Sequence, residues 1–334
     1  MSSGVASLTV SQLLAETLSE EMARDPRVVV FGEDVGALGG VFGVSRKLQR
    51  TYGSDRVFDT PISETAFIGM AIGAAQAGMI PVVELMFVDF LGVCFDQIMN
   101  QMAKNTYMSG GHLAVPVTLR TAVGSIGSAA QHSQVLSATF AHIPGLKVVF
   151  PSSPGDACQM LRAAVRDPNP VVFLEHKWVL KSRVELFPWA EDAHERDSTA
   201  EFGKIRVLRP GADVAIVSAG WMVQQAWKAA EALALEEIEA SVVDIRTLVP
   251  LDRDGLVEVA RGVRHLLVVD EDYRDYGMCA EIMATIAERL GPEAPRMARL
   301  APNVSLPASK PLEEAVLPDT RSIVQAVTGL LEAS

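Results

Sequence analysis

Three features of the sequence predict an α/β protein of two domains. Short β-branched runs alternate with helical stretches almost throughout, as in a mostly parallel sheet. Most of those runs are apolar on both faces, as strands covered by helices on either side must be. A chain of 334 residues also exceeds one ordinary core, so two domains are expected.

In the first half, Ser11–Arg24 has an amphipathic helical period and Val28–Phe31 reads as a strand. Ala66–Gly78 is a helix of small and apolar residues, followed by a strand at Val82–Leu85. Residues 66–83 carry no charge and nominally reach the roughly 18 residues of a membrane span. Gln76, the Gly78-Met79-Ile80-Pro81 break and the Ala/Gly content instead predict a buried helix and a buried strand. Val115–Leu119, Val148–Phe150 and Val171–Leu174 are further strands. Pro154–Val165 is a helix whose preceding serines and first-turn proline suit its start. Around residues 185–203 the pattern turns charged and aperiodic and is punctuated by Pro188. The predicted division is therefore a domain over 1–186, a linker over 187–203 and a domain over 204–334. Beyond the linker the sequence predicts strands at Val214–Val217, Ser241–Ile245 and His265–Val269. Helices are expected at Met222–Leu235, Arg253–Arg261, Ala280–Leu290 and Thr320–Leu331.

Composition narrows the function. With 49% apolar and 21% charged residues the chain is of globular type. A formal charge of −12 argues against nucleic acid or an anionic membrane as partner, since both need a basic face. Cys94, Cys158 and Cys279 are far apart, which fits a reducing, cytoplasmic setting and excludes an ordinary cysteine-ligated iron–sulfur cluster. The opening residues Met1 to Ser7 have neither the basic region nor the apolar core of a secretion signal.

In open parallel sheets ligands sit beyond the carboxyl ends of the strands. That rule selects Gly32-Glu33-Asp34, Met86–Phe90, the loop Thr121–Gln134 and Glu175-His176, then Asp244-Ile245-Arg246 and Asp270-Glu271-Asp272. The segment Val57–Glu64 ends in a carboxylate at the lip of the small apolar helix. There Glu64 either caps the first helical turn or is a partly desolvated carboxyl suited to proton exchange. His132 follows a Gly/Ser/Ala-rich loop and is either a proton donor and acceptor or a surface histidine with a structural hydrogen bond. His142 and His176 lie in apolar stretches and are expected in the core. Gly36, Gly39, Gly40 and Gly43 lack the spacing of a dinucleotide fingerprint and read as a mobile loop. No G-x-S-x-G elbow, Walker A loop, G-x-G-x-x-G or zinc-binding pattern is present. Catalytic-looking residues without a phosphate cradle point to an unusual site or to half of one.

At this level of detail the residues match a family. Gly32-Glu33-Asp34-Val35, Gly39-Gly40-Val41-Phe42, Arg56 through Glu64, Phe90 with Asp96-Gln97, Tyr107 through Gly111, Gln131-His132-Ser133-Gln134 and Pro144 through Val148 form a collinear series. Together with Asp244 through Leu248 and Pro250-Leu251-Asp252, it resembles the β subunit of thiamine-diphosphate-dependent 2-oxoacid dehydrogenase E1 components. Within that family Glu84 through Phe90 with Gly92-Val93-Cys94 looks most like acetoin dehydrogenase, followed by pyruvate and branched-chain enzymes. The resemblance implies a thiamine-pyrimidine-binding parallel-sheet domain and a transketolase C-terminal-like domain. It also implies an E1 α subunit in an α2β2 heterotetramer, a lipoyl-bearing E2 acyltransferase, and a small 2-oxoacid or acetoin as substrate.

The resemblance implies that Glu64 hydrogen-bonds N1′ of the cofactor pyrimidine and favours the 4′-imino tautomer, whose nitrogen takes the thiazolium proton. Ile62, Met86 and Phe90 match positions that pack the pyrimidine, and His132 matches a histidine that orients substrate and assists acyl transfer to lipoyl. Mg²⁺ and the diphosphate would be held mainly by the α subunit, whose Gly-Asp-Gly element this chain lacks. Val117, Ala164, Val165, Asp167 and Asn169 match ligands of a structural K⁺, mostly through backbone carbonyls. Three segments depart from the family: the acidic linker, Asp270 through Gly277 in place of a glycine-richer stretch, and Pro302 through Pro307. They lie in the domain that the resemblance implies helps dock E2. Half of a two-chain transketolase-like enzyme, moving a two-carbon unit to a sugar, would carry similar pyrimidine motifs. A non-catalytic protein that kept the fold would not need Glu64 and His132.

Overall fold

The structure is a computed structural model that describes residues 8–127, 129–189 and 197–332. Residues 190–196 of the expected linker and the opening residues Met1 to Ser7 lie outside the described residues. By contacts the chain divides into two compact units. One is Met1–Val123 with Thr139–Glu201; the other is Gly124–Ala138 with Phe202–Ser334. The loop bearing His132, assigned by sequence to the first domain, therefore groups with the second unit.

The first unit opens with helix α1 (Val10–Arg24), started by a capping box. The Thr9 hydroxyl accepts from the Gln12 amide and the Gln12 side chain accepts from the Thr9 amide, satisfying two donors a helix start leaves free. Then follow β1 (Val28–Gly32), α2 (Leu48–Tyr52), β2 (Val57–Asp59), α3 (Glu64–Gln76), β3 (Ile80–Phe87), α4 (Leu91–Asp96), a π-helical stretch (Gln97–Met102) and α5 (Asn105–Met108). Next come β4 (Thr118–Val123), α6 (Ser137–Ala141), β5 (Lys147–Val149), α7 (Pro154–Val165), β6 (Val171–His176) and α8 (Lys177–Lys181). The uncharged stretch 66–83 divides as expected into a helix and a strand. Gly78, at φ +95°, stops α3 because few other residues adopt that conformation cheaply. Among the described residues no helix is long and apolar enough to cross a membrane.

Strands of this unit lie in the order β5-β6-β4-β3-β1-β2, and every adjacent pair is parallel. All six residues of β4 are buried, although its sequence Thr-Leu-Arg-Thr-Ala-Val contains a charge. The expected strand Val115–Leu119 therefore starts and stops too early. Arg120 does not end the strand, because two buried carboxylates receive it.

The second unit contains β7 (Arg206–Arg209), β8 (Val214–Ser218), α9 (Trp221–Ala234), β9 (Ala240–Asp244), β10 (Thr247–Val249) and α10 (Arg253–Arg261). It continues with β11 (His265–Val269), α11 (Met278–Leu290), β12 (Arg296–Leu300), α12 (Lys310–Val316) and α13 (Thr320–Glu332). Its sheet runs β12-β11-β8-β9-β7, parallel except for the antiparallel edge pair β7–β9. The amphipathic periods of α10 and α13 place Leu256, Val257, Ala260, Ile323, Val327 and Leu330 in the core.

Candidate active site

Parallel register places one set of residues on the carboxyl edge of the first sheet. Gly32 pairs with Asp59 on one side and Glu84 on the other, so β1, β2 and β3 end together. Glu33, the segment 60–64 and Met86 through Phe90 all leave the sheet at this edge. Glu64 is the first residue of α3 and is buried. Its place in the first helical turn is one that favours an acidic residue, and it also lies at the strand ends. The Thr65 hydroxyl donates to the Val93 carbonyl and ties the start of α3 to α4.

Electrostatics mark this corner. Burial, and then the charges of Glu64 and Asp34, push the Glu33 carboxyl above its usual range. Its Oε1 is buried and has no hydrogen-bond partner. Burial, and then the charge of Glu64, push the Cys94 thiol up to about 12. Thus Glu64 is electrostatically felt by groups on both the β1 and α4 sides. Met86 and Phe90 are half-buried, and Phe42, Phe87 and Phe90 form a chain of edge-to-face rings 5.9–6.0 Å apart. Ile62 is 85% exposed and packs on nothing large.

The glycine-rich segment, expected to be a mobile loop, is tied to its surroundings by hydrogen bonds. The Asp59 carboxylate accepts from the Gly36 amide at 2.6 Å, Gly40 N–H donates to the Asp34 carbonyl, and Ser45 N–H donates to that of Gly39. Gly40 has φ +78°, and a Cβ there would stand 3.1 Å from both Glu84 carboxylate oxygens. Beneath it lies a triad the sequence reading missed. Arg120 donates to Glu175 at 2.8 and 2.7 Å and to Glu84 at 3.0 Å, with all three side chains buried. Burial alone would lower the guanidinium, but Glu175 and Glu84 more than offset it and hold Arg120 firmly charged. A cation in an apolar strand with acids in neighbouring strands was the available signal. It requires strand order, which one sequence does not give.

His132 ends a short 3₁₀ turn, Ala130–His132, and is half-buried. His176 is buried and its Nδ1 accepts from the Trp178 amide, as expected of a core histidine. His142, in the turn just after α6, is exposed, contrary to expectation.

The five residues matched to a K⁺ site cluster at the opposite, amino edge: Val117 precedes β4, Ala164 and Val165 end α7, and Asp167 and Asn169 precede β6. Their acceptors are partly engaged. The Val117 carbonyl accepts from Val171, and that of Ala164 accepts from Arg166 and Asp167. The Asp167 carboxylate holds Lys147 and Asn169. Among the described residues no group of three or more His, Cys, Asp or Glu is placed to hold a metal. A cleft of about 510 Å³ also opens on this amino edge, lined by Glu21, Arg27, Met79, Pro116 and Asp167 among others, far in the topology from Glu64.

Comparison with known proteins accords with this geometry. Residues 6–182 match the family model "Transketolase, pyrimidine binding domain" and residues 203–323 match "Transketolase, C-terminal domain". The chain is 42% identical, over 96% of both sequences, to acetoin:2,6-dichlorophenolindophenol oxidoreductase subunit beta of Cupriavidus necator. It is 41% identical to the mitochondrial pyruvate dehydrogenase E1 subunit beta-1 of Arabidopsis thaliana, over 97% of this chain and 89% of that one. It is 38% identical to the Bacillus subtilis pyruvate dehydrogenase E1 subunit beta, over 98% and 100%. A solved structure described as a split gene transketolase, inactive β4 tetramer, superposes with a TM-score of 0.78 at 26% identity, covering 97% of this chain and 99% of that one.

Proposed function

The chain belongs to the family of E1 β subunits built from transketolase-type pyrimidine-binding and C-terminal domains, and on that premise we propose how its residues act. Together with an α subunit, in an α2β2 assembly, it forms a thiamine-diphosphate-dependent E1 that decarboxylates a 2-oxoacid or cleaves acetoin and passes the acyl unit to lipoyl-E2. Bound thiamine diphosphate supplies a thiazolium that serves as the electron sink for such a cleavage.

The observation that carries this reading is the buried Glu64 at the carboxyl edge, beside the unpartnered Glu33 oxygen and the half-buried Met86 and Phe90. A carboxylate at the same sheet edge as an aromatic and a thioether suits a flat heteroaromatic ring bearing polar edge atoms. Glu64 holds or releases a proton at a ring nitrogen. Phe90 and Met86 pack the ring and keep water from it, and the exposed Ile62 joins them when the ring is bound. His132 orients the substrate and assists acyl transfer. Mg²⁺ and the diphosphate fall to the α subunit. The structural K⁺ rests on the resemblance alone, and Lys147 already meets the Asp167 carboxylate where it would bind. We place the protein in the cytoplasm, although the Arabidopsis relative is named mitochondrial.

In the α/β enzyme, Glu64→Gln should lower turnover by about 10²-fold or more while the subunits still co-elute, the range general acid–base groups contribute. Turnover near wild type would refute the role of Glu64. The split-transketolase likeness supports a second reading, transfer of a two-carbon unit to a sugar. A panel of pyruvate, branched-chain 2-oxoacids, acetoin and ketose phosphates, with lipoyl and aldose acceptors, separates the two.

A further inference from the structure

The family departures at Asp270 through Gly277 lie in the domain expected to help dock E2, and three of these side chains are buried. Asp270, Glu271 and Asp272 are 4, 6 and 5% exposed. Their partners lie in the loop 124–138. Ser125 N–H donates to the Glu271 carboxylate at 2.7 Å. The Ser137 hydroxyl and the Ala138 N–H donate to Asp272 Oδ2 at 3.0 and 3.3 Å. The Tyr273 hydroxyl donates to Gln134 Oε1 at 3.2 Å. From another element, Glu313 Oε1 accepts from Gly127 N–H at 2.8 Å.

The loop is further closed on itself by Gly124 N–H donating to the Gln134 carbonyl at 2.9 Å. His132 stands two residues before Gln134. Backbone conformations at Gly124, Gly127, Ala129 and Leu136 all have positive φ, so regular secondary structure does not fix this path. Hydrogen bonds from loop donors to carboxylate acceptors are the stronger kind, and both ends of the loop make them. Asp272 is itself oriented: its amide donates to Asp270 Oδ1 at 3.0 Å and its Oδ1 accepts from the Tyr273 amide at 2.8 Å.

We propose that Asp272 and Tyr273 are positioning residues for His132, holding the loop 124–138 so that the imidazole is presented for acyl transfer. The proposal rests on the reading of His132 given above. On this view the departure from a glycine-richer stretch replaces a bare turn with side chains that grip the loop, and it is not a partner-recognition feature.

The test uses the reconstituted α/β enzyme carrying Asp272→Asn, Tyr273→Phe and His132→Ala, singly and as the Tyr273→Phe/His132→Ala pair. Reductive acylation of an isolated lipoyl domain is compared with turnover on an artificial electron acceptor. Hydrogen exchange of the loop amides is followed in parallel. Weakening the bonds that Asp272 accepts from Ser137 and Ala138 should speed loop exchange in Asp272→Asn by about tenfold. Each single variant should lose lipoyl acylation by about fivefold more than artificial-acceptor turnover, and Tyr273→Phe should add no further selective loss in the His132→Ala background. Equal losses in both assays, or additive losses in the pair, would show a merely structural role and overturn the proposal. If His132→Ala is selective while Asp272→Asn and Tyr273→Phe are not, the positioning claim alone fails. If His132→Ala is not selective, the reading of His132 fails and takes the proposal with it. Tyr273→Phe removes one oxygen, so a fold defect in Asp272→Asn does not blunt the experiment.

Discussion

Replacing Arg120 by methionine should destabilise the first unit by about 3–5 kcal/mol near neutral pH, because two buried carboxylates lose their shared counter-charge. The side chains of Arg120, Glu84 and Glu175 are 1, 7 and 4% exposed, so water can neither screen nor replace the lost guanidinium. Three hydrogen bonds disappear at once. The intact triad gains little net energy, since attraction and desolvation largely cancel. Removing the cation leaves the desolvation of both acids uncompensated. Burial already raises the Glu175 carboxyl against the opposing pull of Arg120, and without Arg120 it should rise further. A carboxyl whose folded pKa lies above its unfolded value of about 4 loses stability as pH climbs through that window and regains it on acidification. The defect of Arg120→Met should therefore be full at about pH 7.5 and fade toward about pH 4.5. At about 2–4 °C per kcal/mol for a unit of this size, the unfolding midpoint should fall by about 6–20 °C at the higher pH. Thermal unfolding followed by circular dichroism at both pH values is the assay. A variant melting within about 2 °C of wild type at pH 7.5, or equally impaired at both pH values, would refute the reasoning. Combining Arg120→Met with Glu84→Gln and Glu175→Gln should restore much of the loss, because no buried charge then remains.

Two further outcomes follow from the buried titratable groups. Cys94, Cys158 and Cys279 are all buried with thiols pushed upward by desolvation, Cys94 to about 12, so a thiol reagent at pH 8 should label none until the protein is unfolded; rapid labelling of the native protein would contradict this. Burial, then the charges of Asp272 and Glu271, push Asp270 up to about 8, so its contribution to stability is full below its unfolded pKa and is lost as pH rises through about 8. Asp270→Asn should flatten the fall in urea midpoint between about pH 6 and 9, and an unchanged slope would count against the assignment.

Much of the fold was legible because its signals are local. Buried parallel strands show as apolar runs, and α10 and β11 fall on the residues their periodicity predicts, Arg253–Arg261 and His265–Val269. Three of the strands at sheet edges were not legible. Val57–Asp59, Arg206–Arg209 and Arg296–Leu300 alternate with polar residues over only three to five positions, too short for a period to declare itself. The strand β4 was misplaced because Arg120 looks like a stop unless its partners in β3 and β6 are known. For the candidate site, the strand-end rule selected the segment containing Phe90, while Glu64 was singled out by its place at the start of the small apolar helix and by motif. Glu33 was selected by the same rule but given no role, since its burial and its electrostatic coupling to Glu64 follow only from the fold. The grip of Asp272 and Tyr273 on the loop 124–138 spans more than 130 residues of sequence, and no local pattern encodes it.

The two groups assigned to chemistry are held by different physical means, and that difference bears on how each can be tested. Glu64 sits at the start of a helix whose length, small side chains and tie to α4 fix it within the first unit. Its position depends on packing, so a substitution there alters chemistry more than geometry. His132 sits on an irregular loop that groups with the second unit and is gripped by carboxylates and a phenol. Its position depends on polar contacts, which weaken singly and are sensitive to pH and to conservative substitution. Lesions of the acidic grip should therefore separate the late, acyl-transferring part of the reaction from the early, proton-handling part, and lesions of the apolar corner around Glu64 should not.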